Sequence, residues 1–135
     1  PYENRIQFHS PLPKSSVMPI IANAVGVLMP SRVDNCPNVC LEAQALGVPV
    51  VGTYSSSLDE MIVDGETGFL AKNAHAPSLC DAIERLLALT DDLRRQMRQR
   101  ILAEASRIGS EDRIGQLIAF YQAAIDRFKA RGNGR

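Results

Sequence analysis

The chain has 135 residues, enough for one domain that buries roughly two-thirds of its unfolded surface. Its 45% hydrophobic and 22% charged residues describe an ordinary globular protein. Fifteen basic and fifteen acidic residues cancel, which excludes a global field that draws the chain to nucleic acid.

The opening PYENRIQF enters a strand almost at once, a start expected of a fragment. The alternation in RIQFH predicts that short strand over residues 5–9, ended by the punctuation SPLPKSS. Ser15 or Ser16 is placed to cap a helix through Ala24, with Pro19 in its first turn or kinking it. VGVLMP, at 25–30, is a continuous apolar strand of the kind that parallel sheets bury on both faces. Pro37 is expected at the first position of the next helix, with Asn35 or Cys36 as its cap and Leu46 as its end. Gly47 closes that helix as a left-handed cap residue, and Pro49 prevents continuation. Residues 48–52 form another buried strand.

TYSSS, at 53–57, is a polar loop. Residues 58–63 read as a brief helical turn, ended by the turn pair Asp64 and Gly65. TGFLA, at 67–71, is a short edge-type strand. Three helices finish the chain. Their apolar stripes are Leu79, Ile83, Leu86 and Leu87, then Leu93, Met97, Ile101 and Ala105, then Ile114, Leu117, Ile118, Tyr121, Ile125 and Phe128. Thr90 and Ser110 are caps between them, and Gly109 ends the middle helix. Strands alternating with helices, then a run of helices, predict an α/β fold: one domain over residues 1–135, with a Rossmann-like parallel sheet of about four strands flanked by helices.

Cys36, Cys40 and Cys80 are too few and too irregular for a disulfide framework, and Cys36 and Cys40 lack the second ligand pair of a structural zinc site. All three read as reduced thiols, Cys40 buried, which implies a reducing compartment such as the cytoplasm. No apolar run approaches the roughly 18 residues of a membrane-spanning helix. The basic run Arg94, Arg95, Arg98 and Arg100 and the basic tail at 127–135 read first as solvated charges. A weak preference of that tail for an anionic membrane surface stays open.

The chemistry concentrates in DNCPNVCLEAQALGVPVV, at 34–51. Asp34 lies in a loop after one apolar strand, and Glu42 lies one to two turns into the helix that follows. In an open α/β sheet, ligands collect at the carboxyl ends of the strands. A helix N-terminus there suits an anion, and carboxylates beside it accept hydrogen bonds from sugar hydroxyls. At about 1.5 Å rise per residue the two carboxylates would sit roughly 8–12 Å apart, one for each end of an extended ligand. Pro37 has no N–H, so the donors for a phosphate are those of Cys36, Asn38 and Val39. Arg32 is the one basic side chain at hand. On spacing alone, Asp34 as a loop cap and Glu42 as a solvent-facing helix residue is the commoner arrangement.

The run from Val25 to Ala71 resembles the donor-binding, C-terminal half of retaining glycosyltransferases of the GT-B fold, within family 4, group 1. Its marks here are Pro30-Ser31, Asp34, Leu41-Glu42-Ala43-Gln44-Ala45, Gly47-Val48-Pro49-Val50-Val51, Ser56-Ser57-Leu58-Asp59-Glu60 and Gly65-Glu66-Thr67-Gly68-Phe69-Leu70. Upstream, RIQFHSPLP is similar to the family's strand before Gly-Pro-Leu-Pro. Downstream, the helices are similar to its C-terminal bundle.

The resemblance implies that Glu42 hydrogen-bonds the nucleotide's ribose, and that Asp34, the catalytic candidate, contacts the donor sugar beside its reacting carbon. It implies that the N–H groups of Cys36, Asn38 and Val39 grip sugar and diphosphate, with no metal and no cofactor. Transfer would retain the anomeric configuration through an oxocarbenium-like state stabilised electrostatically.

Several positions depart from the family pattern. Asp34 stands for a glutamate, Ser56 and Ser57 for a glycine pair, Ser10 for a glycine and Val25 for an aspartate. The Arg and Lys that clamp the diphosphate, and the N-terminal acceptor-binding domain, would lie upstream of Pro1, so the fragment alone is expected to be inactive. Glu60 reads as a structural cap or ion pair, His9 and His75 as bystanders, and Tyr54 as a minor candidate for stacking on a base. Ser55, Ser56 and Ser57 lack the elbow and partners of a nucleophile, and no Gly-rich phosphate fingerprint occurs. Three readings stand at this point: the donor domain of an enzyme that transfers a hexose to a glycan or lipid, a stand-alone nucleotide-sugar-binding module or pseudoenzyme, and a GT-B epimerase. The oligomeric state is not legible.

Overall fold

The computed structural model describes residues 3–54, 56–108 and 112–132. A 3-10 turn, Glu3–Arg5, precedes α1 (Lys14–Ala22), β1 (Val27–Leu28), α2 (Asn38–Ala45), β2 (Val50–Thr53), α3 (Leu58–Met61), β3 (Gly68–Ala71), α4 (Ala76–Leu87), α5 (Asp91–Ile108) and α6 (Asp112–Gly132). The strands form one parallel sheet in the order β1-β2-β3, with Val27 opposite Val50 and Val50 opposite Gly68.

Among the described residues the sheet thus has three strands rather than about four. The strand expected over residues 5–9 does not form. A strand must pair its backbone and bury its apolar side chains, and Phe8 in this segment is 92% exposed. The helix after it also starts differently. Pro13, extended and without a side-chain bond, precedes α1, so neither Ser15 nor Ser16 is the cap, and Pro19 falls inside the helix.

Alternation along the strands sorts the core into two layers. Val50 and Leu70 face α1, α2 and α3, where they pack with Ile21, Cys40, Ala43, Leu58 and Ile62. Val51, Phe69 and Ala71 face α4 and α5, against Ala82, Leu86, Met97 and Ile101. All four residues of β3 are buried although it ends the ladder.

Gly47 stops α2 as expected. It sits at φ +70°, its N–H donates to Gln44 O at 2.9 Å, and the Val48 N–H donates to Ala43 O at 2.9 Å. These are the paired bonds of a Schellman cap. The turn before β3 is also structural. Gly65 has φ +80°, and Asp64 accepts the Leu70 N–H at 2.8 Å and the Arg85 guanidinium at 2.9 Å. Arg85 in turn lies 4.8 Å above the Phe69 ring.

Thr90 accepts the Leu93 N–H at 3.4 Å, in keeping with its role as a cap. Gly109 and Ser110 lie outside the described residues. Leu87, expected in the α4 stripe, is exposed, and so is Leu93. The α6 stripe departs furthest, because none of its described side chains is buried. Periodicity reports that an apolar face exists, not that another element covers it.

Candidate functional site

The loop from β1 to α2 is held by short-range bonds at the sheet's carboxyl edge. Thr53, the last residue of β2, donates its hydroxyl to the Ser31 carbonyl. Ser31 donates to Asp34 Oδ2 at 3.2 Å, and the Asn35 N–H donates to Asp34 Oδ1 at 2.9 Å. Asp34 therefore closes its own loop, as short acidic side chains do in turns. Each oxygen keeps a second lone pair toward the opening.

The chain then passes through Cys36 at φ +55°, a left-handed conformation rare outside glycine. The Cys36 N–H donates to Ser57 Oγ at 2.8 Å, which ties this loop to the one after β2. Ser57 thus has a definite task where the family pattern has a glycine. Pro37 is the cap residue of α2, with φ −65° and ψ 125°, and the helix begins at Asn38. That is one residue later than expected, since extended ψ at Pro37 places it outside the helical turn. The N–H groups of Asn38 and Val39 head the helix, where no intrahelical carbonyl reaches them. The Cys40 N–H already donates to Pro37 O at 3.0 Å.

Glu42 lies one turn further on and is only partly exposed. Its Oε1 pairs with Lys14 Nζ at 2.8 Å, the lysine at the start of α1. Lys14 is the residue that sequence reasoning missed. A lysine behind a proline carries no pattern of its own, and its meaning comes from α1 packing beside α2. Gln44, next but one, is buried and donates to Met61 O at 2.7 Å, which holds α3 against α2.

The five predicted residues thus divide in two. Asp34, Cys36, Asn38 and Val39 share one loop and helix start, and Glu42 stands apart with its own cation. Arg32, the cation of the segment, lines a separate cleft of about 370 Å³ with Tyr54, Lys72 and His75. None of the five lines that cleft. Ser56 is buried and donates to Thr53 O at 2.8 Å, a structural role, and Ser55 lies outside the described residues. Glu60 is exposed and forms no ion pair among the described residues, contrary to the expected pairing. His9 is exposed in coil, and His75 immediately precedes α4. Among the described residues no three His, Cys, Asp or Glu side chains are grouped to hold a metal ion. No described helix is long and apolar enough to cross a membrane.

Cys40 lies beneath this site, fully buried. Burial, with a smaller contribution from the neighbouring Cys36, pushes its thiol from 9.0 up to about 12. It is a packing residue rather than a nucleophile.

A parallel sheet with a helix N-terminus and carboxylates at its carboxyl edge is the architecture of a nucleotide-binding α/β domain. Residues 1–89 match the sequence profile described as Glycosyl transferases group 1, and the chain belongs to that family. It is 32% identical over 118 residues to a D-inositol 3-phosphate glycosyltransferase of Corynebacterium urealyticum, matching 87% of this chain and 28% of that protein. The corresponding Mycobacterium bovis protein is 30% identical over 132 residues, 97% of this chain and 28% of that one. The chain thus spans less than a third of the length of these relatives.

Among solved structures, sucrose-phosphate synthase from Thermosynechococcus elongatus superposes with a TM-score of 0.77 at 24% identity, over 90% of this chain and 31% of that one. HepE of Anabaena, in complex with UDP-glucose, gives 0.67 at 23% identity, over 79% and 30%. Both are GT-B proteins, and the fold here is the C-terminal half of a GT-B fold.

Proposed function

We propose that this chain is the donor-binding domain of a retaining glycosyltransferase that moves a hexose from a nucleoside-diphosphate sugar to an acceptor. One observation carries the reading: α2 begins at the sheet's carboxyl edge with two unpaired N–H groups, a carboxylate in the loop ahead and a second carboxylate one turn in. The N–H groups of Asn38 and Val39 take the diphosphate, aided by the positive end of the helix. Cys36 shapes the loop through Ser57 and adds its N–H when a ligand displaces that hydroxyl. Glu42, oriented by Lys14, accepts the ribose hydroxyls, and Asp34 faces the sugar carbon where positive charge develops. The reading requires neither metal nor cofactor.

UDP-glucose in HepE supports a nucleotide sugar as the donor class. The acceptor is a glycan, a lipid or, as the relatives' name has it for them, a phosphorylated inositol. It would be held by an N-terminal domain, as the chain's short span of its relatives suggests. The family name favours a cytoplasmic protein with at most peripheral membrane contact.

Calorimetric titration with UDP-, GDP- and ADP-sugars tests this. One of them is expected to bind weakly and without turnover, and Glu42→Ala to weaken it at least tenfold, about 1.4 kcal/mol. Binding untouched by that substitution would sink the assignment. A second reading, a binding module without transfer, is favoured by the two hydrogen bonds Asp34 already accepts. Donor hydrolysis by the full-length protein that responds to Asp34→Asn would exclude it.

A further inference from the structure

The carboxyl edge of the sheet carries a second helix start. α2 leaves that edge on one face, and α4 begins there on the other, directly after β3. Between the ends of β2 and β3 lies the cleft of about 370 Å³, lined by Arg32, Thr53, Tyr54, Lys72, Asn73 and His75. The strand-end loops here supply two cations, an imidazole, a phenol and an amide, with no carboxylate among these residues.

Pairing is the rule for basic groups elsewhere. Lys14, Arg85, Arg95, Arg100 and Arg107 each meet a carboxylate, and Arg94 and Arg98 donate to backbone carbonyls. Arg32 and Lys72 meet neither among the described residues. Two cations lining one recess without a counter-ion repel each other, and a multivalent anion between them removes the repulsion. The forked guanidinium offers two parallel donors to phosphate, the ammonium a compact charge, and the Tyr54 hydroxyl and Asn73 amide further hydrogen bonds. The α4 N-terminus adds its dipole in the same sense. The volume lies within the range of small-molecule sites and exceeds the space that a single phosphate occupies.

We infer that this cleft binds the phosphate monoester of a second, phosphorylated substrate of monosaccharide size. It is separate from the donor site at α2. The word "second" rests on the proposed donor reading, whereas the anion site rests on the cleft alone.

Backbone amide NMR of the 135-residue chain, titrated separately with inorganic phosphate, a hexose monophosphate and UDP, tests it. The hexose phosphate is expected to shift the amides of residues 72–76 and to bind at least tenfold tighter than inorganic phosphate. Arg32→Gln and Lys72→Gln should each weaken it fivefold or more. In Lys72→Gln the affinity for UDP should stay within twofold of the parent chain. Equal affinity for the two phosphates would overturn the substrate assignment in favour of a free-ion site. Shifts indifferent to both substitutions, or none at 72–76, would overturn the site itself. Loss of UDP binding in Lys72→Gln would merge the cleft with the donor diphosphate and overturn its separateness. Failure of UDP to bind the parent chain would strike the donor reading and leave the anion site standing.

Discussion

Cys40 and Lys14 show how differently single residues reveal themselves. Cys40 sits in an apolar helix stripe, and burial follows from that position. Its raised pKa has a consequence for stability with a definite sign. At neutral pH the thiol is protonated in both states. Above 9.0 the unfolded chain's thiol ionises, whereas the native one holds its proton up to about 12. The unfolded state therefore binds fewer protons across this window, and stability falls as pH rises through it, by at most about 1.4 kcal/mol per pH unit. Denaturant midpoints across that range are expected to drop more steeply in the parent chain than in Cys40→Ala. Parallel curves would mean that the thiol is not buried as described. Lys14, by contrast, owes its meaning to Glu42 across an interface between two helices, and no local pattern announces such a pair. The ion pair is 71% exposed on the lysine side and 23% on the glutamate side, so its contribution is to orient a carboxylate rather than to hold the fold.

The glycines of the sheet and of α6 separate packing from propensity. A Cβ on Gly68 would lie 2.3 Å from the Val50 carbonyl oxygen, backbone of the adjoining strand that no rotamer change can move. Gly68→Ala must push β3 from β2 and is expected to lose about 3 kcal/mol or more. A Cβ on Gly115, in α6, would meet nothing within 4 Å. There Ala is expected to gain up to about 1 kcal/mol of helix propensity. Circular dichroism melts of the two variants check the contrast, and equal shifts would refute it. The same division explains what could be read from the sequence. Gly47 before Pro49, the apolar run at 48–52 and the Asp64 turn carry local chemistry, and each appears close to its expected place. Residues 5–9 alternate like a strand, but only a neighbouring strand could make them one. At the site, the carboxylates and the helix start were legible from their order. The bond from Cys36 to Ser57, the pair of Lys14 with Glu42 and the gathering of Arg32 with Lys72 depend on which loops meet at the sheet edge.

Taken together, the elements up to α5 form a body with two apolar layers, and α6 contributes no buried side chain to either. Ile114, Leu117, Ile118, Tyr121, Ile125 and Phe128 would repeat on one side of this helix, yet each is between 47% and 81% exposed. Burial of apolar area is the main source of stability, so a helix that buries nothing adds little to the native state of the rest. A chain ended after Ile108 is accordingly expected to melt within about 5 °C of the 135-residue chain, which for a domain of this size corresponds to about 1 kcal/mol. It should also bind less of an apolar-surface dye, because the exposed stripe leaves with α6. Thermal denaturation and dye fluorescence, measured side by side, separate the two effects. A fall of the midpoint well beyond that range would show that α6 packs on the body and shields it. Unchanged dye binding would place the exposed apolar surface elsewhere on the molecule.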